Sequence, residues 1–207
     1  MIDCVIFAGG SFDINDVDIE IAENSYIICA DKGYAYCKQL GLRPDLVVGD
    51  FDSLGRIPGD DCEILAFKPE KDDTDLMIAF KKAVSRGKKD IIVYGALGGR
   101  MDHTYANIQA LAYLLENGSN AKLVCSNEIV YLLAPGEYEL DRVDGFSLSL
   151  FSFSEKVEGL DIGGAKYPLS NAVLTNNVPL GISNEILGEK AHISFKQGTL
   201  LVVRSRL

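Results

Sequence analysis

The stretch IIVYGALGGRMDHTYANIQALAYLLENGSNAKLVCS, residues 91–126, holds a complete strand–loop–helix–strand unit. IIVYGAL (91–97) is an apolar run of strand length, rich in β-branched residues. Gly98 and Gly99 interrupt it. DHTYANIQALAYLLENG (102–118) then places Ile108, Leu111, Ala112 and Leu115 on one helical face and ends in Gly118, a helix C-cap. AKLVCS (121–126) is the next strand. Two strands joined by a helical crossover pair in parallel, because a tight hairpin cannot reverse the chain there.

The same pattern runs back to the start of the chain. CVIFA (4–8), YIICA (26–30), LVVG (46–49) and EILAF (63–67) are strand candidates, with helical patterns in GYAYCKQLG (33–41) and DTDLMIAFKKAVSRG (73–87). In the second helix Leu76, Phe80, Ala83 and Val84 share a face, and Gly87 closes it. Residues 1–126 are therefore expected to form an α/β domain, a mostly parallel sheet with helices on both faces. From residue 127 helical periodicity fades. EIVYLLAPGEYEL (128–140) and the alternating FSLSLFSF (146–153) read as strands, and AHISFKQGTLLVVRS (191–205) as two strands around Gln197-Gly198. Residues 127–207 are expected to be an all-β sandwich.

Composition narrows the function. The chain has 207 residues, 47% of them hydrophobic, with a net charge of −10. An acidic surface disfavours nucleic acid, whose phosphates reward basic residues. A bound divalent cation would still let a nucleotide approach. No apolar run approaches the roughly 20 residues of a membrane helix, and the start lacks the basic character of a signal peptide, so a cytoplasmic location is expected. The cysteines at 4, 29, 37, 62 and 125 form no CxxC pair, which favours reduced thiols over a disulfide set or a zinc site. His103 and His192 are the only histidines.

In an open α/β sheet, ligands bind beyond the carboxyl ends of the strands. Acids follow four of the predicted strands: Asp31 after YIICA, Asp50 and Asp52 after LVVG, Asp72, Asp73 and Asp75 after EILAF, and Asp102 after IIVYGAL. Asp73, Asp75 and Asp102 also stand where helices begin, where an acid caps free N–H groups. Asp50 and Asp52 are harder to explain structurally. Two apart in an extended segment, they face one side with Cα atoms about 6.5–7 Å apart, within reach of one Mg²⁺. Asp75 is the expected third ligand. Mg²⁺ favours carboxylates combined with water and substrate phosphates. The GALGGR loop suits those phosphates: Gly98 and Gly99 allow close backbone approach, and Arg100 can grip oxygens in bidentate fashion. AGGS (8–11) is a second phosphate-facing turn or a plain turn. Local chemistry thus points to an Mg²⁺-dependent enzyme acting on a phosphoanhydride.

ADKG (30–33), PDLVVGDFDSL (44–54), KPEKDDTD (68–75) and GALGGRMDH (95–103), in this order and spacing, resemble the thiamine pyrophosphokinase family. GAKYPL (164–169) and GISNE (181–185) resemble that family's thiamine-contacting segments. The resemblance implies transfer of the diphosphate group of ATP to the hydroxyl of thiamine, giving AMP and thiamine diphosphate. It implies Asp50, Asp52 and Asp75 as Mg²⁺ ligands, with Asp31, Lys71, Arg100 and Asp102 lining the ATP and reaction site. Tyr167, Ser183 and Asn184 would belong to the thiamine side, and the active site would be shared between the chains of a homodimer. Two other readings use the same residues: a diphosphokinase for another hydroxymethyl substrate such as a pterin, and a nucleotide-sensing module without catalysis.

Overall fold

The computed structural model describes residues 2–50, 62–67 and 72–207. The chain divides into two compact units, Met1–Ser126 and Asn127–Leu207.

The first unit holds the strands β1 (Cys4–Phe7), β2 (Tyr26–Ala30), β3 (Leu46–Gly49), β4 (Glu63–Ala66), β5 (Asp90–Tyr94) and β6 (Asn120–Val124). Its helices are α1 (Gly33–Gln39), α2 (Asp75–Ser85) and α3 (Met101–Glu116). The strands lie side by side in the order β6-β5-β1-β2-β3-β4, and among the described residues their pairings are parallel. β1, β2, β3 and β5 are almost wholly buried, which explains their continuous apolar character, since both faces are covered. Val5, Phe7, Ile27, Cys29, Val47, Ile92 and Tyr94 form one face with Cys37 of α1. Successive strand residues point to opposite faces. The alternate residues Cys4, Ile6, Ile28, Leu46, Val48, Ile91 and Val93 therefore line the other face, and they are buried too. α2 and α3 pack against each other and bury Leu76, Phe80, Leu111 and Leu114. The expected α/β architecture is present.

The helix ends differ in detail from the expected caps. Thr74, not Asp73, caps α2: its Oγ1 accepts the Met77 N–H at 3.1 Å. Asp73 instead pairs with Lys81 at 2.6 Å.

The second unit holds β7 (Glu128–Leu133), β8 (Gly136–Asp141), β9 (Phe146–Ser152), β10 (Lys156–Gly163), β11 (Leu169–Thr175), β12 (Gly181–Asn184), β13 (Lys190–Phe195) and β14 (Leu200–Arg206). They form two antiparallel layers, ordered β12-β9-β14-β7 and β11-β10-β13-β8. Leu148, Leu150, Leu200 and Val202 of one layer share a core with Leu140, Leu160, Ile162, Leu174, Ile193 and Phe195 of the other. This is the expected sandwich. The two strands around Gln197-Gly198 are present but do not form a hairpin, since β13 and β14 lie in different layers. Gly198, at φ 94°, passes so close to the Lys156 carbonyl that a side chain there would collide with it. The segment is a crossover between layers.

Candidate active site

The strand order of the first unit reverses between β1 and β5. The chain steps outward through β2, β3 and β4, then returns to the other side of β1. Such a switch point opens a crevice at the carboxyl edge. Here its floor is made of glycine. The Gly10 N–H donates to the Gly95 carbonyl at 2.8 Å, and the Ala8 N–H donates to the Tyr94 carbonyl at 2.8 Å. A Cβ on Gly10 would stand 2.5 Å from the Gly95 oxygen, and a Cβ on Gly95 would stand 2.5 Å from the Ala8 oxygen. The AGGS turn and the loop after β5 are thus pressed together at the reversal. The Tyr36 hydroxyl, from α1, donates to the Gly10 carbonyl at 2.8 Å and fixes the turn from the other side.

Of the predicted acids, Asp31 and Asp50 directly follow strands of this sheet, and Asp75 opens the helix after β4. Asp31 directly follows β2, and its N–H donates to the Val48 carbonyl at 2.8 Å. Its φ of 51° is the left-handed conformation, uncommon for any residue with a side chain and frequent at functional sites. A Cβ on Gly9 would lie 3.2 Å from Asp31 Oδ2, so this carboxylate borders the glycine turn of β1. Asp50 directly follows β3, and Asp75 is the first residue of α2. Asp50 and Asp75 offer hard oxygen donors, the kind Mg²⁺ prefers. Among the described residues no group of three or more His, Cys, Asp or Glu is close enough together to hold a metal ion. Asp52 and Lys71 lie outside the described residues.

After β5, Gly98 and Gly99 adopt φ of 79° and 75°, so glycine is needed at both. Arg100 stands at the N-cap of α3, and its Nε and Nη2 donate to Asp102 Oδ1 and Oδ2 at 3.1 and 2.6 Å. Asp102 Oδ1 also accepts the His103 N–H at 3.0 Å. The carboxylate therefore caps the helix and orients the guanidinium at once. The hydrogen bond from Arg100 is the main cause that lowers the Asp102 pKa.

The second unit carries its own candidate patch. Tyr167 is exposed, as is Ser183, while Asn184 is buried. The Asn184 amide joins Tyr167 to the end of β12: Oδ1 accepts the Tyr167 N–H at 2.9 Å, and Nδ2 donates to the Tyr167 carbonyl at 2.8 Å. Ser183 has φ 57°, and its N–H donates to Ser149 Oγ at 3.0 Å. A separate depression of about 550 Å³ on the β8–β13–β10 face is lined by Glu137, Glu139, Asp161 and His192, among others. Its Glu139 is occupied by Lys190 at 2.6 Å, and none of the predicted site residues borders it.

Residues 17–123 match the family model for the thiamin pyrophosphokinase catalytic domain, and residues 137–200 match that for the thiamin pyrophosphokinase vitamin B1 binding domain. The chain belongs to the thiamin pyrophosphokinase family. It is 32% identical to the thiamine pyrophosphokinase of Bacillus subtilis over 97% of each chain. It is similar to the crystal structure of thiamine pyrophosphokinase from Bacillus subtilis, with a TM-score of 0.90 and 29% identity over 99% of both chains. A thiamin pyrophosphokinase family protein from Enterococcus faecalis gives a TM-score of 0.86 at 29% identity, again over 99% of both chains. Yeast thiamin pyrophosphokinase shares the fold, with a TM-score of 0.73 at 14% identity over 98% of this chain and 86% of its own.

Three residues that help to build this edge were not singled out by sequence. Tyr36 holds the β1 turn, as described. Asn107 Nδ2 donates to the Ala96 carbonyl at 2.8 Å, tying α3 to the loop before Gly98. Thr104 Oγ1 lies 3.4 Å from the Gly98 carbonyl as its donor. The available signal was a row of polar residues (Thr104, Asn107) in the first two turns after a glycine loop.

Proposed function

We propose that this protein catalyses transfer of the diphosphate group of ATP to the hydroxyl of thiamine, releasing AMP and thiamine diphosphate. What carries the reading is the joint match of a catalytic and a vitamin-B1-binding model, on a chain whose parallel sheet gathers acids and a Gly-Gly-Arg loop at one edge. The first unit takes ATP, and the second takes thiamine.

The thiamine hydroxyl oxygen attacks the β-phosphorus of ATP. The bond from that phosphorus to the α–β bridging oxygen breaks, and AMP departs with the electron pair. Phosphoryl-type transfers rest mainly on positioning and on electrostatic stabilisation of the transferring group. The backbone around Gly98 and Gly99 and the N-terminus of α3 face the phosphates with N–H groups. A guanidinium has five N–H donors, and Asp102 engages two of them on Arg100. The others remain to grip phosphate oxygens, so Asp102 orients Arg100 for that task. A carboxylate beside the thiamine hydroxyl, Asp31 or Asp102, receives its proton. Lys71 contacts ATP in the same reading.

Asp50, Asp52 and Asp75 would hold Mg²⁺, which offsets negative charge on phosphate oxygens when bound. The oxygen-only chemistry of the described pair, Asp50 and Asp75, supports that assignment.

The reading includes a homodimer in which the thiamine side of one chain, with Tyr167, Ser183 and Asn184, meets the ATP held by the other. The second unit supports this with Val173, Val178, Leu180, Ile182 and Leu187, all large, apolar and exposed. Covering such surface is what a two-fold interface does. A cytoplasmic location suits the five free cysteines, three of which are buried. Among the described residues no helix is long and apolar enough to cross a membrane.

The test is product analysis by mass spectrometry after incubation with ATP, Mg²⁺ and thiamine. AMP and thiamine diphosphate should accumulate in equal amounts. ADP in place of AMP would rule out diphosphate transfer, and turnover of a hydroxymethyl pterin but not thiamine would reassign the substrate.

A further inference from the structure

The segments around Tyr167 and Asn184 run side by side like two short antiparallel strands. The Lys166 N–H donates to the Glu185 carbonyl at 2.9 Å, the Leu187 N–H donates to the Gly164 carbonyl at 3.0 Å, and Ala165 bridges Ile186. At Tyr167 a side chain takes over from the backbone. The Asn184 amide accepts the Tyr167 N–H and donates to the Tyr167 carbonyl, as a peptide unit of a neighbouring strand would do. Its Oδ1 accepts a second bond, from the Glu185 N–H at 2.9 Å.

A carboxamide offers two acceptor positions and two N–H groups. On Asn184 both acceptor positions and one N–H are committed to backbone, and the residue is only 4% exposed. The Tyr167 side chain stands in the opposite situation, with the residue 58% exposed. Both backbone polar groups of Tyr167 are held, one on each side of its Cα, which leaves the ring little beyond its own side-chain rotations. Lys166, 5.7 Å from the ring centroid, is itself tied to Glu185 at 2.9 Å. Ser183, in the left-handed conformation, and the register shift between Gly181 and Asn184 accompany the inward turn of this amide.

We infer that Asn184 is a positioning residue: it sets the backbone of Tyr167, and through it the ring that faces thiamine, without binding the substrate itself. The inference rests on the assignment of Tyr167 to thiamine made above. A ring held in place before the substrate arrives loses little freedom on binding, whereas a loose one adds an ordering cost to every association. The effect of losing the clamp therefore falls on thiamine affinity and spares the diphosphate transfer.

The experiment is a double-mutant cycle on Asn184→Ala and Tyr167→Ala, reading kcat, the KM for thiamine and the KM for ATP, with a thermal melt of each protein. Each single substitution should raise the thiamine KM roughly tenfold, the scale of one or two lost hydrogen bonds or ring contacts. The KM for ATP and kcat should stay near the wild-type values. The double variant should match Tyr167→Ala alone, because no ring remains to be positioned. If Asn184→Ala does not fold, Asn184→Ser, whose hydroxyl can still serve one partner, takes its place in the cycle. A double variant whose thiamine KM is the product of both single effects would overturn the inference and give Asn184 its own contact with substrate. A lower kcat with unchanged thiamine KM in the Asn184 variant would overturn it as well, leaving a purely structural role. If Tyr167→Ala alone leaves the thiamine KM unchanged, the placement of thiamine at Tyr167 fails, and this inference fails with it.

Discussion

Gly10 and Gly95 touch at the one place in the parallel sheet where the strand order reverses, joined by a 2.8 Å hydrogen bond from the Gly10 N–H to the Gly95 carbonyl. Neither has room for a side chain. The close approach brings the first turn of the chain, Ala8–Ser11, against the loop that leads to Gly98, Gly99 and Arg100. Two segments far apart in sequence thus form one rim, and Tyr36 pins the rim to α1.

Gly95→Ala is therefore expected to damage both stability and function. The new Cβ would stand 2.5 Å from the Ala8 carbonyl oxygen at a φ of 72°, so the backbone must move. Strain of this kind costs on the order of 1–3 kcal/mol. Urea unfolding should show that loss, and the KM for ATP should rise because the loop proposed to face the phosphates starts here. Gly87→Ala is the control: it has a similar φ of 71° but nothing within 4 Å of its Cβ, so it should leave the KM for ATP unchanged.

Asp50→Asn and Asp75→Asn are expected to lower turnover by on the order of a hundredfold or more, the scale seen when an electrostatic partner of the transferring group is removed. Both proteins should remain folded by circular dichroism. Calorimetry should show weaker binding of Mg²⁺·ATP, and chelation of divalent cations should abolish turnover of the wild-type protein. Near-normal activity of either variant at saturating Mg²⁺ would remove that residue from the metal set.

Much of this edge was legible in the sequence because α/β alternation itself dictates where loops gather. Once YIICA, LVVG and IIVYGAL are read as parallel strands, Asp31, Asp50 and Arg100 have to emerge at one edge. Contacts between distant segments were not legible. Nothing in AGGS announces that Gly10 will meet Gly95, because the spacing between them depends on how the six described elements from β2 to β5 pack. The capping preference of Asp73 was overridden by Thr74 next to it and by Lys81 two turns on. Asn184 lies in a motif that suggests ligand contact, and only three-dimensional pairing reveals that its amide is committed to Tyr167 and Glu185. Gln197-Gly198 looks like a hairpin turn, yet the core needs β13 and β14 in opposite layers.

Stability should fall at alkaline pH. Burial pushes the Cys4 thiol from its ordinary 9.0 up to about 12, and burial likewise pushes the Tyr94 hydroxyl from 10.0 up to about 12. In the unfolded chain both groups ionise near their ordinary values while the folded protein keeps them protonated. Their contribution is therefore fully present below about pH 9 and is lost progressively as the pH rises towards 12, by about 1.4 kcal/mol per pH unit for each group in its window. Thermal midpoints should be flat from pH 7 to near 9 and decline above it. Cys4→Ala should show a shallower decline, and an unchanged slope in that variant would remove Cys4 as a cause.

The proposed division of the active site between two chains makes the most demanding prediction. Asp50→Asn disables the ATP side, and Tyr167→Ala lowers the rate on the thiamine side to roughly a tenth when thiamine is kept well below the wild-type KM. In a homodimer with shared sites, each site combines the first unit of one chain with the second unit of its partner. A heterodimer of the two variants then holds one site with both lesions and one with none. Random exchange in an equimolar mixture converts about half of the dimers to heterodimers, by the symmetry of a closed pair. Half of the sites in those heterodimers are intact, so roughly a quarter of wild-type activity should return. The rise should follow the kinetics of subunit exchange, measured in parallel by mass spectrometry of the intact dimers. Verified exchange without recovered activity would mean that each chain keeps a complete site of its own. A protein that remains monomeric by sedimentation at assay concentration would remove the dimer altogether.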